Sequence, residues 1–147
     1  MQIIESRIEI NAPKKLVWDV LIDFEQYHQW NPFTPKIVCD FIVGNPVKLY
    51  VDMKQNGKTS MQKEDLLWIK NEESIAWGIT SYFPVRTERA QILESLGPEK
   101  TSYYTYDKFW GILVPVVMWG YRKDIQKGFD SVGEGLKSHC EKLFKGQ

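Results

Sequence analysis

The spacing of hydrophobic and polar residues changes along the first quarter of the chain. In residues 3–10 apolar and polar side chains alternate, which is the period of a strand with one buried face. Pro13 suits the first position of a helix, and residues 16–24 then carry apolar side chains at helical spacing. A second short helix is expected to end at Asn31-Pro32, because proline cannot continue a helix.

Strands separated by turns are predicted for residues 34–110. The turn signals lie at Gly44-Asn45-Pro46, Asn56-Gly57, Asn71-Glu72-Glu73, Phe83-Pro84 and Gly97-Pro98. Their spacing predicts six consecutive antiparallel strands. In residues 47–53 apolar and polar side chains alternate, so one face of the sheet is buried and requires a cover.

The predicted cover is a long amphipathic helix in the last part of the chain. Apolar side chains recur there every three or four residues, at Met118, Tyr121, Ile125, Phe129, Val132, Leu136, Cys140 and Leu143. This period predicts a helix of about seven turns. The elements together predict an α+β fold, in which a curved seven-stranded antiparallel sheet wraps around the long C-terminal helix and two short helices follow strand one.

Four glycines interrupt the predicted long helix, although each costs about 1 kcal/mol relative to alanine. They are Gly120, Gly128, Gly133 and Gly135. Two explanations are open: the helix backbone packs closely on the sheet, or the missing side chains leave room for a ligand. Gly133 and Gly135 point in different directions, so they cannot both serve the same ligand.

Size and charge narrow the class of protein. A chain of 147 residues is the usual size of one domain, so we expect a single domain over residues 1–147. Its 19 basic and 19 acidic residues balance, and the chain as a whole has no field that would attract nucleic acid or an anionic membrane. The longest apolar run, residues 111–119, is too short for a transmembrane segment, and no secretory signal is visible.

Cysteine and histidine content argues against several other kinds of site. Two cysteines do not make a disulfide framework, so a reducing, cytoplasmic location is expected. His28 and His139 stand far apart without a second ligand at metal spacing, so we predict no metal and no cofactor. Cys140 lies on the apolar helical stripe and is expected to pack as a small hydrophobic residue. No phosphate loop or serine elbow is visible.

Three segments resemble a known superfamily. Residues 8–33, IEINAPKKLVWDVLIDFEQYHQWNPF, resemble the opening of START-related, birch-pollen-allergen-like (SRPBCC) proteins, where a strand runs into Ala-Pro, Val-Trp and a closing Trp-Asn-Pro. Residues 92–116, ILESLGPEKTSYYTYDKFWGILVPV, resemble the last hairpin of the polyketide cyclase/dehydrase-like branch. Residues 128–143, GFDSVGEGLKSHCEKL, resemble its closing helix.

The resemblance implies a helix-grip fold, in which a curved sheet wraps the C-terminal helix and encloses a largely apolar cavity. Members similar in layout bind lipids, sterols, polyketides or other hydrophobic molecules, and some catalyse cyclisation, dehydration or hydrolysis. We therefore expect binding of one small hydrophobic molecule. The alternatives are a polyketide cyclase/dehydratase-type enzyme using the same cavity and a protein-interaction module. The oligomeric state is left open.

Strand phase predicts polar side chains on the inner face of the last two strands. If Phe109 points inward, so do Tyr103, Thr105 and Asp107. If Leu93 points inward in the preceding strand, so do Thr87, Arg89 and Gln91. Two adjacent strands would then present these polar groups to one interior.

Arg89 and Asp107 are the candidates for chemistry. A buried charge is costly unless it is paired, so the two side chains are expected to meet. Arg89 could hold two oxygens of a carboxylate or enolate, and Asp107 could act as a general base if burial raised its pKa. The alternatives are a purely structural ion pair and a strand phase that leaves both in solvent.

Apolar residues complete the expected cavity. By the resemblance, QWNPF (residues 29–33) ends the helices that close one end of the sheet, so Trp30 and Phe33 would lie near the cavity wall. Trp30 could instead only pin these helices to the sheet. The full set of expected lining residues is Trp30, Phe33, Leu49, Val51, Trp77, Arg89, Gln91, Tyr103, Thr105, Asp107, Phe109, Met118, Tyr121, Ile125, Phe129 and Val132.

One further segment is more apolar than a connection should be. Residues 109–119, FWGILVPVVMW, are expected to join the last strand to the long helix. One interpretation is buried packing. The other is an apolar rim through which a hydrophobic ligand enters after contact with a membrane surface or a partner protein.

Overall fold

A computed structural model describes residues 1–81 and 84–147. The strands are β1 (Gln2–Ile10), β2 (Lys36–Val38), β3 (Pro46–Val51), β4 (Ser60–Lys70), β5 (Ser74–Gly78), β6 (Arg86–Gly97) and β7 (Lys100–Trp110). The helices are α1 (Lys14–Ile22), a 3-10 helix (Phe24–Gln29) and α2 (Val114–Lys145). Phe83, which belongs to one predicted turn, lies outside the described residues.

One antiparallel sheet contains all seven of these strands, in the order β1-β7-β6-β5-β4-β3-β2. The chain therefore returns after β1 to build the sheet from its far edge, and β7 closes it against β1. Helix α2 covers the inner face and buries Met118, Ile125, Phe129, Val132, Leu136 and Cys140. The predicted α+β helix-grip fold, with two short helices after strand one, is confirmed.

Helix α2 is longer than its apolar stripe indicated. It has 32 residues, or about nine turns, because it already begins at Val114 inside the segment expected to be a connection. Two residues of the predicted stripe are half-exposed. Tyr121 faces the space between sheet and helix, and Leu143 lies past Glu141, whose carboxylate accepts a hydrogen bond from the backbone N–H of Asn11 just beyond β1.

The segment QWNPF docks on α2 through two of the helix glycines. A Cβ atom on Gly135 would lie 2.0 Å from the carbonyl oxygen of Trp30, and one on Gly128 would lie 2.3 Å from the ring of Phe33. On the side facing β1, a Cβ on Gly133 would lie 3.3 Å from the side chain of Ile8. These three glycines serve close packing, so the alternative that they leave room for a ligand is wrong for them. Gly120 is exposed, and a Cβ atom there would meet nothing within 4 Å.

Candidate functional site

A cavity of about 440 Å³ lies between the sheet and the first half of α2. Alternation along β3 turns Leu49 and Val51 into it, while α2 contributes side chains on the same side as its buried face. The lining residues are Phe33, Thr34, Leu49, Val51, Met53, Ser60, Gln62, Glu64, Trp77, Ile79, Val85, Thr87, Arg89, Asp107, Phe109, Val117, Tyr121, Ile125 and Phe129.

Four polar side chains from three strands of the sheet line this cavity. Arg89 on β6 stands directly opposite Asp107 on β7 in the strand register. Thr87, two residues before Arg89, donates a hydrogen bond of 3.0 Å to the carboxylate of Glu64 on β4. The same hydroxyl accepts a hydrogen bond of 3.1 Å from the backbone N–H of Ile79, which fixes its direction.

Arg89 is held by neighbours other than the expected aspartate. Its guanidinium carbon lies 4.1 Å from the ring centroid of Phe129, at the distance of a cation–π contact. Its Nε donates to the hydroxyl of Thr105 at 3.4 Å. Among the described residues no ion pair joins Arg89 to Asp107, so the prediction that the two side chains pair is wrong.

Asp107 carries an unpartnered polar atom. Its Oδ1 is buried and has no hydrogen-bond partner among the described residues. Burial raises the pKa of Asp107 well above its usual value, and the carboxylate of Glu64 raises it further, whereas Arg89 opposes both effects. Asp107 therefore holds its proton to a higher pH than an exposed aspartate, and its carboxyl group can donate a hydrogen bond.

Glu64 is the second perturbed carboxyl group of the cavity. Burial raises the pKa of Glu64, while the hydrogen bond from Thr87 and the charge of Arg89 act in the opposite direction. Two carboxyl groups thus share the cavity with a single guanidinium. Such a group of side chains can bind a polar group of a ligand and can exchange a proton with it.

The predicted site residues divide into two groups. Those that line the cavity are Phe33, Leu49, Val51, Trp77, Arg89, Asp107, Phe109, Tyr121, Ile125 and Phe129. Those that do not line it are Trp30, Gln91, Tyr103, Thr105, Met118 and Val132, all of which are buried in the core. For this second group the structure corrects the expected cavity boundary.

The gap between sheet and helix closes beyond Phe129 for a visible reason. Gly133 brings the backbone of α2 onto Ile8 of β1, with the ring of Tyr103 next nearest. The hydroxyl of Tyr103 lies within the core and donates a hydrogen bond of 2.6 Å to the side-chain oxygen of Gln91. Inward-facing side chains continue along β6 and β7 beyond the end of the cavity, because the helix approaches the sheet there and these side chains pack in the core.

Sequence reasoning missed the cavity residues on β4. Leu66 is buried, and stepping back by two residues from it reaches Glu64, Gln62 and Ser60, all of which line the cavity. The period-two rule could have found them. The alternation is obscured in β4, because its outward positions include the apolar residues Met61 and Leu67.

Other kinds of site find no support in the described residues. No group of three or more His, Cys, Asp or Glu side chains there could hold a metal ion. Burial raises the pKa of Cys140 to about 12, which leaves it a thiol rather than a nucleophilic thiolate. In the described parts of the chain no helix has the length and apolar character needed to cross a membrane.

The curved sheet, the gripping helix and the enclosed cavity define a START-like protein of the helix-grip class. A family profile described as polyketide cyclase/dehydrase and lipid transport matches residues 1–94. The chain belongs to this family. No curated protein matches the sequence.

Solved structures share the fold over nearly the whole chain. The Zhui aromatase/cyclase from a Streptomyces species is 18% identical, with a TM-score of 0.74 over 96% of this chain and 94% of that one. A START superfamily protein from Mycobacterium smegmatis is 17% identical, with a TM-score of 0.72 over 96% and 98% of the two chains. Protein TTHA0849 from Thermus thermophilus is 16% identical, with a TM-score of 0.73 over 97% and 99%. Identities this low show a shared fold alone.

Proposed function

We propose that this protein binds one small, mainly apolar molecule in the cavity and orients it through a polar group held at Glu64, Arg89 and Asp107. The observation that carries the proposal is a cavity lined mainly by apolar side chains, in which the buried Oδ1 of Asp107 has no hydrogen-bond partner among the described residues. Small-molecule sites usually measure about 300–1,000 Å³ and contain a few convergent polar groups. The cavity of about 440 Å³ falls within that range.

The polar groups at the end of the cavity indicate what the ligand would carry. Oδ1 of Asp107 has no partner among the described residues, and the guanidinium of Arg89 lies in the same cavity beside the ring of Phe129. A buried polar atom without a partner costs about 1–3 kcal/mol. A carbonyl or hydroxyl oxygen of a ligand would pair with the guanidinium, and a protonated Asp107 would donate to the same group.

The comparisons support an apolar ligand in general terms. The family description names both lipid transport and polyketide chemistry, and the similar structures include an aromatase/cyclase and a START superfamily protein. Lipids, sterols and polyketides all combine an apolar body with a few oxygens. The ligand class proposed for this chain is therefore a hydrophobic molecule with at least one oxygen at its end.

Filling the cavity should abolish ligand uptake. The probe is anilinonaphthalene sulfonate, an apolar dye that fluoresces on leaving water. Val51→Trp places a large ring in the cavity and is expected to weaken dye binding at least tenfold. Tyr50→Trp, the neighbouring position on β3 whose side chain points to the other face, is expected to bind the dye like wild type.

Thermal unfolding of both variants must show that each is folded. Equal dye affinity of folded Val51→Trp, Tyr50→Trp and wild-type protein would contradict binding in this cavity.

A second candidate function is that of a cyclase/dehydratase-type enzyme using the same cavity. The observation that favours it is the combination of a carboxyl group of raised pKa, Asp107, with the guanidinium of Arg89. Asp107 would exchange a proton with the substrate while Arg89 stabilised a developing oxyanion. Asp107→Asn should then abolish turnover of a poly-β-ketone while substrate affinity is largely retained, whereas a binding protein shows no turnover to lose.

A further inference from the structure

A cluster of large apolar side chains projects from the start of α2 into solvent. Ile112 is 70% exposed, Leu113 44%, Val116 65% and Trp119 91%. We call these four residues the apolar tip. Exposed apolar residues scattered singly are normal, but four within eight positions of one turn and helix start form a patch.

The apolar tip is separate from the packed side of the same segment. Val114 and Met118 are buried in the core, and Val117 lines the cavity. Val116 and Trp119 lie on the other side of the helix. The sequence therefore makes the start of α2 apolar all round, although only one side has a partner among the described residues.

The tip stands beside the cavity. Val117 and Tyr121, which line the cavity, alternate along α2 with the exposed Val116 and Trp119. The turn between β3 and β4 reaches the same part of α2, where Lys54 forms an ion pair with Asp124. A surface that covered the tip would therefore lie next to the space proposed for an apolar ligand.

Basic residues follow the tip along the exposed side of α2. Lys123 and Lys127 continue the side of the helix that carries Val116, and Arg122 lies next to them. Lys123 is seven residues, or roughly 10 Å, beyond Val116. Asp124, the acidic residue within this stretch, is paired with Lys54, and the next acidic residue, Asp130, lies one turn beyond Lys127. Although the net charge of the chain is zero, residues 122–127 carry three basic side chains and one acidic side chain.

The size of the patch favours a lipid surface over a second copy of the chain. Four such side chains expose on the order of 500 Å², which is large for a monomer but below the roughly 800 Å² per partner of a standard specific interface. An apolar projection backed by lysines fits the boundary between acyl chains and anionic headgroups, where apolar side chains enter about 5–10 Å.

We propose that the apolar tip docks this protein on an anionic lipid surface. The four apolar side chains enter the interfacial region, and Lys123 and Lys127 face the lipid phosphates. The docked orientation presents the cavity to the membrane. The proposal does not require a bound ligand. A loss of vesicle binding can therefore be distinguished from a loss of ligand binding.

Vesicle co-sedimentation tests the docking surface. Wild-type protein is expected to bind vesicles of mixed phosphatidylglycerol and phosphatidylcholine and to bind pure phosphatidylcholine weakly. Trp119→Ser should weaken binding to the anionic vesicles about tenfold or more. Lys123→Gln with Lys127→Gln should weaken it about 25-fold at low salt, since each lysine near an anionic surface strengthens binding about fivefold, and added salt should weaken the wild type.

Matched controls come from the same chain. Ile42→Ser removes a comparably exposed apolar side chain from the loop between β2 and β3, at the other edge of the sheet. Lys142→Gln with Lys145→Gln makes the same charge change at the far end of α2. Both should bind like wild type.

Three results would overturn the proposal: no binding of wild type to anionic vesicles, unchanged binding of Trp119→Ser, or equal binding to neutral vesicles. Self-association that Trp119→Ser abolishes, without vesicle binding, would also overturn it and would identify a second copy as the occupant.

Discussion

Gly135→Ala is expected to lower the free energy of unfolding by about 3 kcal/mol, whereas Gly120→Ala should raise it by about 1 kcal/mol. Both substitutions add one methyl group to the same helix. The added Cβ at position 135 would lie 2.0 Å from the carbonyl oxygen of Trp30, while at position 120 nothing lies within 4 Å. The difference between the two variants therefore isolates the contact of QWNPF with α2.

The clash at Gly135 is with backbone rather than with a flexible side chain. Trp30 cannot turn away by a rotamer change, so either the helix or the end of the 3-10 helix must move. Thermal unfolding measures the outcome: a loss of 3 kcal/mol corresponds to a melting temperature roughly 10 °C lower for a chain of this size. If Gly135→Ala melted at or above the temperature of Gly120→Ala, the described docking of QWNPF would be wrong.

Asp107→Asn is expected to stabilise the protein at neutral pH, by about 1–3 kcal/mol, because a carboxyl group buried at this position must either stay charged without a partner or take up a proton, and both are costly at neutral pH. The pKa of Asp107 is raised in the fold, so the folded protein holds this proton more tightly than the unfolded chain. Stability is then greatest in acid and falls as the pH rises from about 4 towards the raised pKa. Asparagine does not titrate, so the variant does not show this loss of stability with rising pH.

Urea unfolding at a series of pH values measures the effect. The difference in unfolding free energy between Asp107→Asn and wild type should be small near pH 4 and should grow as the pH rises. Asp19→Asn, which changes an exposed aspartate paired with Lys15 on α1, should not reproduce this growth. A difference that shrank with rising pH would contradict the buried, protonated carboxyl group.

A stabilising Asp107→Asn substitution would itself bear on function. A carboxyl group kept at a cost in stability is typical of sites selected for binding or catalysis. Glu64 remains in the variant, and burial raises its pKa as well, so part of the pH dependence should persist. The double variant Asp107→Asn with Glu64→Gln should lose most of the remaining pH dependence of stability.

The architecture was predictable because its patterns are long and repeated. Three patterns extend over many positions: the alternation in β1, the turn residues between strands and the apolar stripe of α2. Few arrangements of these elements bury both the apolar face of the sheet and the apolar face of the helix. The alternation of inward and outward side chains also predicted inner positions for Arg89 and Asp107 on neighbouring strands. In the structure they stand opposite each other on β6 and β7, and both line the cavity.

The shape of the cavity was less predictable because it depends on contacts between distant residues. Whether Tyr103 lines a cavity or packs in the core is decided by Gly133, which lets α2 approach the sheet. Arg89 lies over Phe129 rather than pairing with Asp107, and no local pattern distinguishes these two partners. Glu64 was missed because its strand lacks a clean alternation.

The most direct test of the proposed function is native mass spectrometry of the purified protein after incubation with a hydrophobic extract of its source cells. We expect the mass of one added small molecule, released under denaturing conditions and absent from folded Val51→Trp, whose cavity is filled. Only the mass of the empty chain, from wild-type protein shown to be folded, would contradict binding of a hydrophobic ligand in this cavity.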